Sequence, residues 1–161
     1  MLFKDCLCFQ VGQISRKMSR ITREKLVPYG LTTAQFFLLT ALYEEDGLPI
    51  SVLAQKVALD KATLTGLLDR LERDDLTERR ADHEDRRAIR IHLTAKAEGL
   101  RKELTELYHD NNGMFLSLLS QEEKEVFERV VNKLATADFV KDSIPTSKSA
   151  QEGEGFHLYR F

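Results

Sequence analysis

Cysteine is scarce in this chain: the 161 residues hold two, Cys6 and Cys8. A C-x-C pair matches neither the spacing of a zinc-site pair nor the bridge framework of a small secreted domain. The histidines, His83, His92, His109 and His157, are scattered and propose no metal site. Proline and glycine are also few, three and eight, so long helices are allowed. No run of about 18 apolar residues occurs, which argues against a membrane span, and MLFKDCLCF is too short and too soon interrupted to be a signal peptide. The expected location is the cytoplasm, with no membrane partner. There is no Walker loop, no GxGxxG, no HExxH and no GxSxG. The chain is therefore read as a non-enzyme with no cofactor and no metal.

What is present is a soluble, helix-rich composition, 42% hydrophobic and 31% charged. A net charge of −2 argues against a non-specific nucleic-acid coat, because affinity for phosphate comes from clustered Lys and Arg. Distribution carries more information than the total. Arg16, Lys17, Arg20, Arg23 and Lys25 face only Glu24 near the start, whereas residues 98–129 are mainly acidic. Between Lys61 and Thr94 acids and bases balance, so any DNA contact there depends on which face each charge occupies.

The stretch from Ser51 to Thr94 organises the rest. Ser51 is the expected N-cap of a short helix, SVLAQKV, with Leu53, Ala54 and Val57 inward. After the turn ALDK, Asp60 caps a second helix over Lys61 to about Asp74. In that helix Leu64, Leu67, Leu68 and Leu71 form one buried stripe. Its other face carries Lys61, Thr63, Thr65, Gly66, Asp69 and Arg73, a narrow hydrogen-bonding surface suited to entering a groove. LTERRA and AIRIHL then read as two strands around the charged loop DHEDRR. Two arginines at the tip, Arg86 and Arg87, suit a negatively charged minor groove. These elements spell a winged helix-turn-helix.

The wording of this region, ATLTGLLDRLERDDLTERR followed by DHEDRRAIRIHLTAKA, resembles the multiple antibiotic resistance regulator (MarR) family of bacterial transcription factors. The similarity extends to roughly Leu134. The family's wing pattern of an acid, a spacer and an arginine is met by Asp85, Arg86 and Arg87. The sequence departs from the family at Asp75 and Ala97, both usually Gly there. The resemblance implies a double-stranded operator as partner, with Lys61, Thr63 and Thr65 at base edges or adjacent phosphates, Gly66 on the same DNA-binding face and Arg73 near the backbone. Arg86 and Arg87 enter the minor groove, with Asp85 orienting Arg87. It also implies an effector pocket for a small aromatic molecule, with Met18, Tyr29, Phe36, Phe37 and Tyr43 as candidates against a plain core role. Cys8, in LCF, is similar in setting to the family's hydroperoxide sensors, although Thr22 and Thr33 stand where those sensors use tyrosines.

Outside that region, Leu7, Val11, Ile14, Met18 and Ile21 are spaced as a coiled-coil-like seam that packs either within the chain or on a partner. The helix should end near Pro28. Thr32 or Thr33 caps the next helix, AQFFLLTALYEE, which is apolar enough to be buried on several sides. From Thr94 another helix carries Leu100, Leu104, Leu107, Met114 and Leu118 at heptad-like spacing, with Asn111 in the missing place, either a buried register-setting residue or a bend with Asn112 and Gly113. Ser120 and Glu123 form a capping box ahead of Val126, Phe127, Val130, Val131 and Leu134.

The expected fold is mainly α with a small β-wing: a first arm helix over 1–30, the winged helix-turn-helix over 31–94, C-terminal dimerisation helices over 95–140, and a polar tail with an apolar end over 141–161. The expected function is that of a homodimeric DNA-binding regulator, a repressor answering a ligand or an oxidant. Its rival is a winged helix used as a protein-docking module, against which the polar Thr63, Thr65 and Gly66 count.

Overall fold

Leucine spacing and capping chemistry set the helix boundaries in the computed structural model, which describes residues 5–82 and 88–137. The chain divides into two compact units between Leu118 and Leu119. In the first unit α1 spans Leu7–Leu26 and passes through a short 3-10 turn, Val27–Tyr29, where Pro28 ends the α-helical geometry as expected. Gly30 then turns the chain at φ 65°. Helix α2 runs Thr33–Glu44 and begins with a capping box: the Thr32 hydroxyl accepts from the Gln35 amide while the Gln35 side chain accepts from the Thr32 amide.

Strand β1, Leu48–Pro49, leads into α3, Ile50–Lys56. Helix α4 spans Lys61–Arg73, strand β2 Thr77–Ala81, strand β3 Ile89–Leu93 and helix α5 Ala95–Leu116. The sheet is antiparallel, in the order β1, β3, β2, so the wing ribbon gains a third strand that sequence periodicity missed. Two residues are too few to show an alternation; Leu48 pairs with Ile91 and Pro49 with Arg90. That pairing also corrects the cap expected at Ser51. Pro49, held at φ −58° by its ring, stands at the N-cap, the helix starts at Ile50, and Ser51 is exposed.

Around α2 the core gathers Leu26, Phe36, Leu38, Leu39, Leu42, Leu53, Leu64, Leu68, Leu71, Ile91 and Leu104, all essentially inaccessible to solvent. Each such side chain contributes roughly 1.5–3 kcal/mol through removal from water. Phe37 does not share this burial: it is 50% exposed, on the side of α2 turned away from the core. Helix α5 is continuous through Asn111, Asn112 and Gly113, so there is no break there. Leu104, Leu107 and Asn111 face into the unit, and Asn111 Nδ2 donates to Thr22 Oγ1 on α1 at 3.3 Å.

The second unit holds α6, Gln121–Thr136, started by the Ser120 and Glu123 capping box. Val126, Phe127, Val130, Val131 and Leu134 are each 43–49% exposed, and no described residue of α6 is buried. The apolar seam of α1 is likewise open at Leu7, Val11 and Ile14. The tail expected over 141–161 lies outside the described residues.

Among the described residues, two other than glycine adopt left-handed backbone, Ala58 at φ 51° between α3 and α4 and Asp75 at φ 56° after α4. Asp75 stands where the family usually has Gly, and aspartate tolerates this conformation better than alanine does. Ala58→Gly is therefore expected to stabilise the fold by about 1 kcal/mol, and Asp75→Gly by less. Urea unfolding midpoints check the order; a loss of stability in Ala58→Gly would contradict it.

Candidate nucleic-acid interface

Helix α4 is held by its leucines, Leu64, Leu67, Leu68 and Leu71, all buried, which leaves Lys61, Thr63, Thr65, Gly66, Asp69, Arg70 and Arg73 in solvent. Its first turn is organised by Asp60. One carboxylate oxygen accepts from the amides of Ala62 at 3.0 Å and Thr63 at 2.9 Å, and the other from the Thr63 hydroxyl at 2.6 Å. The Thr63 hydroxyl, followed by these amides, holds the Asp60 carboxyl below the usual carboxylate range. One turn on, the Thr65 hydroxyl donates to the Lys61 carbonyl at 2.8 Å. Both exposed hydroxyls thus spend their only proton inside the helix. They present acceptor lone pairs and methyl groups to a partner, which suits base amino groups and thymine methyls better than phosphates.

The charge balance resolves by face. Arg79 on β2 reaches back to α4, donating to Asp69 at 2.7 Å and to Glu72, while its own amide donates to Glu72 at 3.1 Å. Arg80 pairs with Glu78 and Arg90 with Asp82. The sheet's three arginines are therefore engaged by four acids of α4 and of the wing strands. Lys61, Arg70 and Arg73 make no ion pair among the described residues. Arg70 was missed in the sequence reading, although Gly66, Arg70 and Arg73 fall at i, i+4 and i+7 and so lie on one stripe. Asp85, Arg86 and Arg87 lie outside the described residues.

The root of the wing is clamped at the end of α2. Asp46 accepts from the Leu93 amide at 2.8 Å and meets His92 Nδ1 at 3.0 Å, and Arg90 donates to the Gly47 carbonyl at 2.8 Å. Gly47 adopts φ 71°, where a side chain is strained, and a β-carbon there would stand 2.7 Å from His92 Cε1, so the imidazole would have to shift.

The five effector candidates are not brought together in one cavity. Tyr43 lines a hollow of about 360 Å³ between α2 and α5 with Arg101, Tyr108 and His109. Burial, aided by Glu98 and partly offset by Arg101, pushes its hydroxyl up to about 12. Tyr29 lines a separate hollow of about 440 Å³ with Lys25, Glu103, Glu106 and Asp110. Phe36 is core, Phe37 is exposed and Met18 is half-buried. Cys8 is exposed and free in the first turn of α1. Of the two threonines at the sensors' tyrosine positions, Thr22 is buried and donates to the Met18 carbonyl at 3.0 Å.

Residues 31–89 match the MarR family. The chain is also 34% identical over 135 residues to the HTH-type transcriptional regulator MgrA of Staphylococcus aureus, across 83% of this chain and 90% of that one. The chain belongs to the MarR family. Among solved structures, the Staphylococcus aureus MepR–DNA complex superposes with a TM-score of 0.76 at 27% identity, over 81% of this chain and 96% of MepR. A probable transcriptional regulator from Pseudomonas aeruginosa gives a TM-score of 0.76 at 25% identity, over 83% and 99%. This MarR-family chain is a transcriptional regulator and not an enzyme. No single helix among its described residues is long and apolar enough to cross a membrane.

Burial would raise the Asp46 carboxyl, but the Leu93 amide, His92 and the Gly47 amide together hold it below the usual range. A depressed folded-state pKa means that this group's stabilisation is present above the unfolded value of about 3.9 and is lost as pH falls through the folded one. Asp46→Asn is expected to be less stable than the parent at about pH 5, with the difference shrinking as pH drops below about 4. Thermal melts at stepped pH check this, and a difference that widens in acid would refute it.

Proposed function

We propose that the chain is a homodimeric repressor that binds a pseudo-palindromic double-stranded operator through α4 and the wing, and that a small signal releases it. The observation that carries the DNA reading is Gly66. A glycine in mid-helix costs about 1 kcal/mol relative to alanine. Nothing stands within 4 Å of a β-carbon built at Gly66, so the chain's own packing makes no demand for glycine there. Gly99 and Gly113 of α5 are equally open; what sets Gly66 apart is that it shares a stripe with Arg70 and Arg73, where a groove wall approaching closely would make that demand.

In this reading Gly66 faces the groove wall, Thr63 and Thr65 offer acceptors and methyls to base edges, and Lys61, Arg70 and Arg73 meet adjacent phosphates. Asp85, Arg86 and Arg87 keep the wing roles assigned from sequence. The DNA complex of MepR lends support as a relative of the same fold. A protein-docking role is less well supported, because the outward face of α4 carries no aromatic anchor. Homodimerisation rests on the open apolar faces of α1 and α6, since exposed large apolar side chains at helical spacing ask for a cover. Two copies present two reading helices, and a spacing of about 34 Å between them matches one turn of duplex. Release is assigned to a small aromatic molecule in the Tyr43 hollow or to hydroperoxide oxidation at Cys8. Cumene hydroperoxide applied to the parent and to Cys8→Ser separates these two.

Fluorescence polarisation with selected genomic fragments tests the DNA reading. Gly66→Ala is expected to stabilise the fold by about 0.5–1 kcal/mol while weakening operator binding. Arg73→Ala is expected to weaken operator and non-operator DNA alike and to lower the salt slope by about one unit. A Gly66→Ala protein that binds operator as well as the parent would remove the groove-approach argument. For assembly, a dimer burying roughly 2,000 Å² or more is expected at micromolar concentration, and a folded monomer by sedimentation equilibrium would refute it.

A further inference from the structure

The end of α4 and the start of α5 meet at a joint built from hydrogen bonds. The Thr94 hydroxyl accepts from the Ala97 amide, which caps α5, and donates to the Asp75 carbonyl at 2.7 Å just past the end of α4. Two residues on, Lys96 Nζ donates to the Asp74 carbonyl at 2.7 Å. The last carbonyls of a helix have no partner within it and carry the negative end of its dipole, so an ammonium there is well placed. Between these bonds the Thr94 amide donates to the Leu76 carbonyl at 3.2 Å, and the Leu76 amide to the Leu71 carbonyl at 2.8 Å. The next turn of α5 is tied to α2 instead. The Tyr43 hydroxyl donates to the Ala97 carbonyl at 2.7 Å, and Arg101 donates to the Tyr43 carbonyl at 2.8 Å while lying over its ring. The first two turns of α5 therefore grip both the reading helix and the helix that scaffolds it.

We propose that Lys96, with Thr94, is a positioning residue for DNA reading: it holds the C-terminal end of α4 to the root of α5, so that the orientation of the reading helix follows that of α5. This rests on the DNA-binding reading above. Lys96 acts through the Asp74 carbonyl and not on phosphate, which separates it from Arg73. A loosened joint lets α4 pivot on its leucines. Base-edge contacts need a fixed helix and suffer, whereas phosphate attraction, which tolerates displacement, does not.

Lys96→Met keeps the aliphatic stem and removes the ammonium, and Lys96→Arg keeps the charge. Lys96→Met is expected to weaken operator binding about three- to tenfold, with non-operator affinity and salt slope unchanged, and Lys96→Arg to restore most of the loss. Thr94→Ser, which retains the hydroxyl, should bind as the parent does. Equal losses on operator and non-operator DNA with a lower slope would make Lys96 a phosphate contact and overturn the proposal. A lower melting temperature with an unchanged operator to non-operator ratio would reduce it to a structural residue and overturn it as well. Amide exchange in the free protein supplies an arm independent of DNA. Lys96→Met should speed exchange at Asp74 and Leu76 and leave α2 unchanged, and absence of that change refutes the joint. If the parent binds no fragment while this exchange change occurs, the DNA reading fails and the mechanical joint stands.

Discussion

Burial of one leucine stripe decides what this molecule can touch. Leu64, Leu67, Leu68 and Leu71 are almost completely removed from water, and a helix so anchored cannot rotate without exposing several of them. At roughly 1.5–3 kcal/mol for each side chain, exposing several of them would consume a large part of the roughly 5–15 kcal/mol that holds a domain folded. The face carrying Thr65, Gly66, Arg70 and Arg73 is therefore outward by necessity. Its chemistry is free to be chosen for a partner because none of it is needed for folding. The mid-helix glycine is the clearest sign of that freedom, since the isolated fold would be better served by alanine.

A second constraint acts on charge. An even mixture of acids and bases over the reading helix and wing is a poor surface for a polyanion unless the acids are neutralised. Arg79 from the neighbouring strand pairs with both Asp69 and Glu72, one positive charge shared between two acids, and Arg90 pairs with Asp82. Such partly exposed pairs add little stability. Their larger effect is to hold Asp69 and Glu72 toward the sheet, leaving Lys61, Arg70 and Arg73 as the charges of α4 without an ion pair among the described residues. Arg79 also ties α4 to β2, so charge pairing and orientation of the helix come from one side chain.

The parts of the fold readable in advance were those governed by local rules. The leucine period of α4, the Asp60 cap, the box of Ser120 and Glu123, and the strand AIRIHL, in which Ile91 and Leu93 are buried but Ile89 is exposed, each depend on residues within a few positions of one another. What escaped was set by distant partners. Leu48 and Pro49 form a strand only because β3, more than forty residues later, offers an edge. Arg79 reads as one more wing charge until the return of the chain brings it over Asp69. Thr63 and Thr65 were correctly placed outward, yet nothing in their spacing said that their protons were already committed to Asp60 and Lys61. The aromatic candidates failed to converge for the opposite reason: Phe36 and Phe37 are adjacent in sequence, and adjacent residues of a helix point about 100° apart, one into the core and one into solvent.

Helix α5 is fixed unequally along its length. Its first two turns carry the bonds from Thr94, Lys96, Ala97 and Arg101, and its middle packs Leu104 and Leu107 into the core. Further on, the contact with α1 becomes polar. Asn111 is 5% exposed and reaches Thr22 at 3.3 Å, and its Oδ1 has no hydrogen-bond partner among the described residues. A leucine at this place would continue the apolar series and bind α1 more strongly. An unsatisfied buried acceptor costs about 1–3 kcal/mol, which subtracts from the α1–α5 contact where the leucine layers add to it. The helix is thus gripped at the end that holds the reading head and weakly held where it meets α1. A displacement of α5 at its α1 end, where the contact is poorest, is what the proposed joint at Thr94 and Lys96 would pass to α4.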